Sequence, residues 1–245
     1  MKRFFGAALG LFLACQSSVC YGALSTASHG YGQGKERGND NCPIGATDFS
    51  NAYSKYESCA LSNDKNRIIL TFDQGYENGY TEKILDTLKE KDVQAIFFLT
   101  GDYAKKETAL VNRMISEGHT LGNHGMTHAK FPELSEDELR EEIMSLHNYV
   151  LEAYNYEMQY LRPPCGEYSE QTLNITKDLG YKTLMWSFAH VDWQTDMQPP
   201  AKESLENMLN CAHGGAIYLL HSVSSTNAEI MGELIDGLRE KGYTV

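Results

Sequence analysis

From Arg67 onward, short apolar runs rich in β-prone residues alternate with longer stretches whose apolar positions recur every three or four residues. The runs at 67–72, 94–99, 120–122, 160–161, 183–186, 216–221 and 243–245 predict about seven strands. Between them, Leu139, Ile143, Leu146 and Val150 share one helical face, as do Met231, Leu234, Ile235 and Leu238, which is the spacing a core-facing stripe requires. Ser135 followed by Glu138 forms a capping box, each side chain satisfying an amide left free at the start of the helix. Gly118, Gly180 and Gly242 stand where a helix must turn out and a strand begin. Strand-then-helix order repeated along the chain predicts an α/β fold, a distorted (β/α) barrel of about seven parallel strands, closed or nearly closed.

Residues 24–66 break this pattern. They are polar and rich in Gly, Ser, Asn and Tyr, which predicts a loosely structured lead-in wrapping a catalytic domain of residues 67–245. Residues 1–23 are different again. Lys2 and Arg3 precede an apolar run from Phe4 to about Ala14, and Cys20 and Gly22 supply the small residues that cleavage needs. This is the pattern of a secretory leader cut near Gly22 or Ala23, which predicts a secreted or cell-envelope protein. The run is too short for a membrane span, which takes about 20 apolar residues. Cys15, closing Leu-Ala-Cys, offers lipid attachment as an alternative, and an uncleaved leader would also serve as a tether.

Composition narrows the partners. With 42% apolar and 22% charged residues in 245, the chain has the make-up of a globular domain with one core. Its formal charge is −12, and loss of the leader with its two positive residues shifts this to −14. Nucleic acid, which demands a basic surface, is excluded as an expected partner. Acidity says nothing against a sugar polymer, and a monomer is expected. Of six cysteines, four remain after the leader. None has metal-type C-x-x-C spacing, and Cys42 and Cys59 are candidates for a bridge or for free thiols.

In a parallel barrel the chemistry gathers where strands end. Asp73 and Gln74 close the first run, in ILTFDQGYENGYT; Asp73 is either a site carboxylate or a cap for the next helix. GHTLGNHGMTH supplies His124 and His128, which on a helical turn would project from one side and share one metal ion; a surface or core pair is the alternative. His119, His147, His190 and His213 lack such partners and read as ordinary residues. Arg162 ends a run and is held by the Pro-Pro and Gly that follow, so it either orients a carboxylate such as Asp73 or lies at a surface turn. His221 ends GGAIYLLH, where an imidazole at the barrel mouth is placed to donate a proton. Asp192 is its candidate partner. Trp193 and Leu219 are candidate substrate contacts, with core packing the alternative for Trp193.

Taken together, TFDQG, H-x-x-x-H, RPPCG, DW and LLH resemble, in order and spacing, the motifs of the polysaccharide deacetylases, the family-four carbohydrate esterases. The likeness spans about 67–245. FDQGYENGYT, RPPxGxYSE, HVDWQ and AIYLLH are most similar to the branch called delta-lactam biosynthetic de-N-acetylases, which act on muramic acid in spore-cortex peptidoglycan. The resemblance implies a divalent metal, usually zinc, bound by His124, His128 and the residue at Gln74. It implies Asp73 as general base, oriented by Arg162, and His221 as general acid, tuned by Asp192. Two positions depart from the pattern. The family usually carries Asp where this chain has Gln74, and the branch usually carries Arg where it has Cys165. Within the resemblance, chitin or xylan deacetylation and a catalytically silent glycan-binding groove are the competing expectations.

Overall fold

The computed structural model describes residues 23–245, so the leader expected over 1–23 lies, but for Ala23, outside the described residues. Among the described residues, ten strands occur: β1 (His29–Gly30), β2 (Ser58–Cys59), β3 (Ile69–Gln74), β4 (Ile96–Leu99), β5 (Thr120–Asn123), β6 (Tyr160–Leu161), β7 (Glu167–Tyr168), β8 (Lys182–Leu184), β9 (Phe188–Ala189) and β10 (Ile217–Leu220). Eight helices accompany them: α1 (Ile44–Tyr53), α2 (Thr81–Glu90), α3 (Gly101–Lys106), α4 (Thr108–Ser116), α5 (Glu136–Tyr154), α6 (Glu170–Asp178), α7 (Ala201–Asn210) and α8 (Ser225–Glu240).

Eight strands form one parallel sheet in the order β2-β8-β6-β5-β4-β3-β10-β9. Its curl follows from chain length. β8 lies next to one edge and β9 is the other, yet only residues 185–187 separate them. Four residue steps span at most roughly 14 Å, so the two sides of the sheet must bend toward each other. The result is an open, barrel-like α/β shell. β4 is buried at all four positions, as expected of a parallel strand covered on both faces.

The predicted stripes of α5 and α8 are buried in the main core, and Ser135 and Glu138 make the expected reciprocal cap. Six of the seven predicted runs become strands. The seventh, 243–245, does not: Thr244 makes a single bridge to Arg67, with backbone bonds to Asn66 and Ile68 alone. The run at 183–186 ends as a strand at Leu184, and the chain bends before re-entering the sheet as β9.

The lead-in is more structured than its composition suggests. It contributes α1 and the edge strand β2, while β1 pairs with β7 in a separate two-stranded ribbon. Ala46, Phe49, Tyr56 and Ala60 bury themselves with Tyr168, Met185 and Trp186 in a second core. They are too sparsely spaced to show as a period, and edge-to-face aromatic contacts such as Phe49–Tyr168, at 5.2 Å, take the place of an apolar stripe. The four described cysteines are all free thiols, so Cys42 and Cys59 do not bridge. The Cys42 thiol turns to Thr47 and the carbonyl of Pro43, while Cys59 sits in β2. Among the described residues, no helix is long and apolar enough to cross a membrane.

Candidate active site

Sheet register brings the expected residues to one rim. Leu220 of β10 lies beside Phe72 of β3, so His221 emerges next to Asp73. Leu99, Asn123 and Leu161 are also in register, and the residues that immediately follow β5 and β6 are His124 and Arg162. Around them opens a cavity of about 760 Å³, lined by Asp73, His124, His128, His221, Trp193 and Leu219, among others.

Arg162 is wholly buried, not at a surface turn. Its Nη1 donates to Asp73 Oδ1 at 2.7 Å and to Thr71 Oγ1 at 2.9 Å, while Nε and Nη2 donate to the carbonyls of Leu184 and Met185. Every arm of the fork is committed, which fixes the direction of the Asp73 carboxylate. Burial by itself would raise the Asp73 pKa, but Arg162, with His124 and His221, outweighs it and holds the carboxyl below its ordinary value. The capping alternative for Asp73 falls. Glu77 does that work instead, accepting from the amides of Gly79, Tyr80 and Thr81 at the start of α2.

His124 Nδ1 lies 2.8 Å from the carbonyl of Arg162. A carbonyl only accepts, so the proton sits on Nδ1 and the Nε2 lone pair is free, 3.6 Å from Asp73 Oδ2. Burial drives the His124 pKa down to about 4 and also lowers that of His128. Both rings are thus neutral at pH 7, and their centroids are 4.8 Å apart. The segment between them is a loop, not the helical turn expected, because Gly125 and His128 both take positive φ. The two rings meet through backbone reversal instead of helical spacing.

On the opposite side, His221 Nδ1 is 2.7 Å from Asp192 Oδ1, and Asp192 Oδ2 accepts from the His221 amide and from Asn227 Nδ2. Burial would lower the His221 pKa, but the Asp192 carboxylate overrides it and raises the value. Asp192 is itself shifted down against its burial by His190 and His221. Base-side and acid-side groups are therefore pushed in opposite directions, the arrangement that lets one site accept a proton and supply another.

Gln74 is not brought to the cavity. It is completely buried, and its carbonyl oxygen accepts from Ser222 Oγ at 2.6 Å, so the amide expected to be a metal ligand is already engaged elsewhere. Among the described residues, no group of three or more His, Cys, Asp or Glu side chains closes into a metal cage. The donor chemistry nonetheless suits an open site: two neutral imidazoles in contact, one with its Nε2 free, beside an ionised carboxylate.

Four residues escaped the sequence reading. His190 lines the cavity with Nε2 3.6 Å from Asp192 Oδ2, an ion-pair distance, and Trp186 forms part of the wall. Asn227 and Glu142 brace the site from α8 and α5. Only Glu142 left a visible signal, an acidic residue inside the Leu139–Ile143–Leu146 stripe. Trp193 is 51% exposed at the cavity mouth, not packed in the core, and Tyr76, also exposed, donates to its carbonyl. Leu219 is buried but reaches the cavity wall.

Residues 60–184 match the family described as polysaccharide deacetylase. The chain is 42% identical over 208 residues to peptidoglycan-N-acetylmuramic acid deacetylase PdaA of Bacillus subtilis, covering 84% of this chain and 79% of that protein. It is 32% identical to a peptidoglycan-N-acetylglucosamine deacetylase of Bacillus cereus, over 79% of this chain and 67% of the relative. The solved structure of Bacillus subtilis PdaA, described as a family 4 carbohydrate esterase, superposes with a TM-score of 0.85 at 39% identity, covering 90% of this chain and 95% of that one.

Proposed function

Since the chain belongs to the polysaccharide deacetylase family, the family 4 carbohydrate esterases, and fits its PdaA branch, we propose that it hydrolyses the N-acetyl groups of peptidoglycan amino sugars outside the cytoplasm. N-acetylmuramic acid is the favoured sugar, on the route to muramic delta-lactam. The names of the relatives support peptidoglycan, and the exposed Trp193 and Tyr76 at the cavity mouth suit the flat face of a sugar ring.

The observation that carries the reading is the opposed pair on neighbouring strands. Asp73 is ionised at neutral pH, and His221 is biased toward its protonated form. His124 and His128 would hold a divalent ion, zinc in this reading. The chemistry such an ion supplies when bound is Lewis acidity toward the acetamide carbonyl and toward water. Asp73 takes the proton of the attacking water while Arg162 keeps its carboxylate aligned. His221 gives its proton to the departing amine, so that water and amide become acetate and free amine, and Asp192 holds the ring through Nδ1. Leu219 and Trp186 give the cavity wall apolar surface.

The test is acetate release by the purified protein from peptidoglycan, chitooligosaccharide and acetylated xylan, with and without added zinc or cobalt. Release from peptidoglycan alone or foremost, together with mass-spectrometric detection of deacetylated muramic acid, is the expected result. Preference for chitin or xylan would move the substrate assignment. One feature favours a groove that binds glycan without turning it over: the Gln74 carbonyl oxygen is taken up by Ser222, and the residue does not line the cavity. Glycan binding with no acetate release under any metal condition would establish that reading.

A further inference from the structure

We infer that Glu142 is a positioning residue for the imidazole-bearing loop: from α5, its buried carboxylate sets the pose of His128 and thereby the affinity of the two-imidazole site for a divalent cation. This rests on the metal reading proposed above.

The loop from Gly125 to Ala129 has no regular structure to hold it, and His128 sits at φ 63°. A non-glycine residue stays in that region only when its surroundings hold it there. Glu142 supplies that restraint. Its Oε1 accepts from the amides of Thr127, at 2.7 Å, and Ala129, at 3.4 Å, the two residues that bracket His128. Its Oε2 accepts from the Thr127 hydroxyl at 2.9 Å, and its own carbonyl accepts from the Met126 amide at 3.2 Å. Gly125 permits the close approach, since a Cβ there would lie 2.8 Å from Oε1.

The placement of Glu142 argues against a mere helix-surface role. It interrupts the apolar face formed by Leu139, Ile143 and Leu146 and is 8% exposed. A carboxylate in such a place is costly unless its oxygens are occupied, and here both are occupied by the His128 loop. Glu142 does not line the cavity, so it reaches the chemistry only through His128. Groups that orient metal-binding histidines from behind change metal affinity by about 10–100-fold when removed.

Zinc affinity of the metal-free protein, measured by competition with a chromophoric chelator, tests the inference. The visible spectrum of the cobalt-loaded protein reports the ligand environment independently, and thermal unfolding confirms that each variant is folded. Glu142→Ala is expected to bind zinc about 10–100-fold more weakly and to alter the cobalt spectrum. Glu142→Gln, whose amide oxygen still accepts from Thr127 while its NH2 reaches the hydroxyl, recovers much of the loss. Should the alanine variant fail to fold, Thr127→Val removes only the hydroxyl bond and is expected to weaken zinc binding several-fold. Folded Glu142→Ala or, in its place, Thr127→Val with wild-type zinc affinity overturns the inference, as does Glu142→Gln binding no better than alanine. Wild-type protein with no zinc affinity overturns the metal reading itself, and this inference with it.

Discussion

Replacing Arg162 with methionine would remove the charge that keeps Asp73 ionised inside the protein. Methionine keeps much of the length but removes the donors to one buried carboxylate and two buried carbonyls, while the Thr71 hydroxyl keeps its bond to the Tyr218 carbonyl. Breaking one side of a buried ion pair costs about 3–5 kcal/mol, because the remaining charge is left without compensation. For a domain of this size each kcal/mol moves Tm by about 2–4 °C, so a fall of roughly 6–20 °C is expected. The deficit should depend on pH. In the wild type the Asp73 pKa is depressed, so its contribution to stability is present above the unfolded carboxylate value and lost as pH falls through the folded one. Without Arg162, burial dominates and the folded pKa rises above the unfolded value. The sign then reverses, and a penalty grows as pH rises from about 4 toward the raised folded value. Urea unfolding of both proteins at about pH 4.5 and about pH 7 should give the larger gap at neutrality. Adding Asp73→Asn to the variant should recover part of the loss, with a coupling of at least about 1 kcal/mol. An Arg162→Met protein within about 1 kcal/mol of wild type at both pH values would refute the reasoning.

Three further outcomes are expected. Asp192→Asn removes the charge that raises the His221 pKa, so the alkaline limb of kcat/KM for acetate release moves to lower pH; an unmoved limb would separate Asp192 from the acid. Gly101→Ala places a Cβ 2.5 Å from the Met126 carbonyl and 3.1 Å from its Cα, so backbone beside the His128 loop must move, at a cost of about 1–3 kcal/mol by chemical denaturation. Mass spectrometry after alkylation of the denatured, unreduced protein should find four modified cysteines among residues 23–245, whereas two would indicate a disulfide.

The sequence by itself determined the local parts. Apolar runs became strands wherever continuous burial leaves a single reading, and the α5 and α8 stripes became core faces because a helix repeats its direction every three to four residues. Asp73, Arg162, Asp192 and His221 could be singled out as candidates because they follow apolar runs, where polar groups are costly without a purpose, while the roles expected of them came from the family resemblance. Tertiary structure decided what depends on partners distant in the chain. Whether Gln74 faces the cavity or Ser222 turns on a contact 148 residues away, and whether His124 and His128 meet turns on a loop held by Glu142. The edge strands β2 and β9, two residues each, carry no period of their own and exist because the curled sheet offers β8 and β10 as templates. Periodicity reports which way a side chain faces within its own element. It carries no information on which remote group will be waiting there.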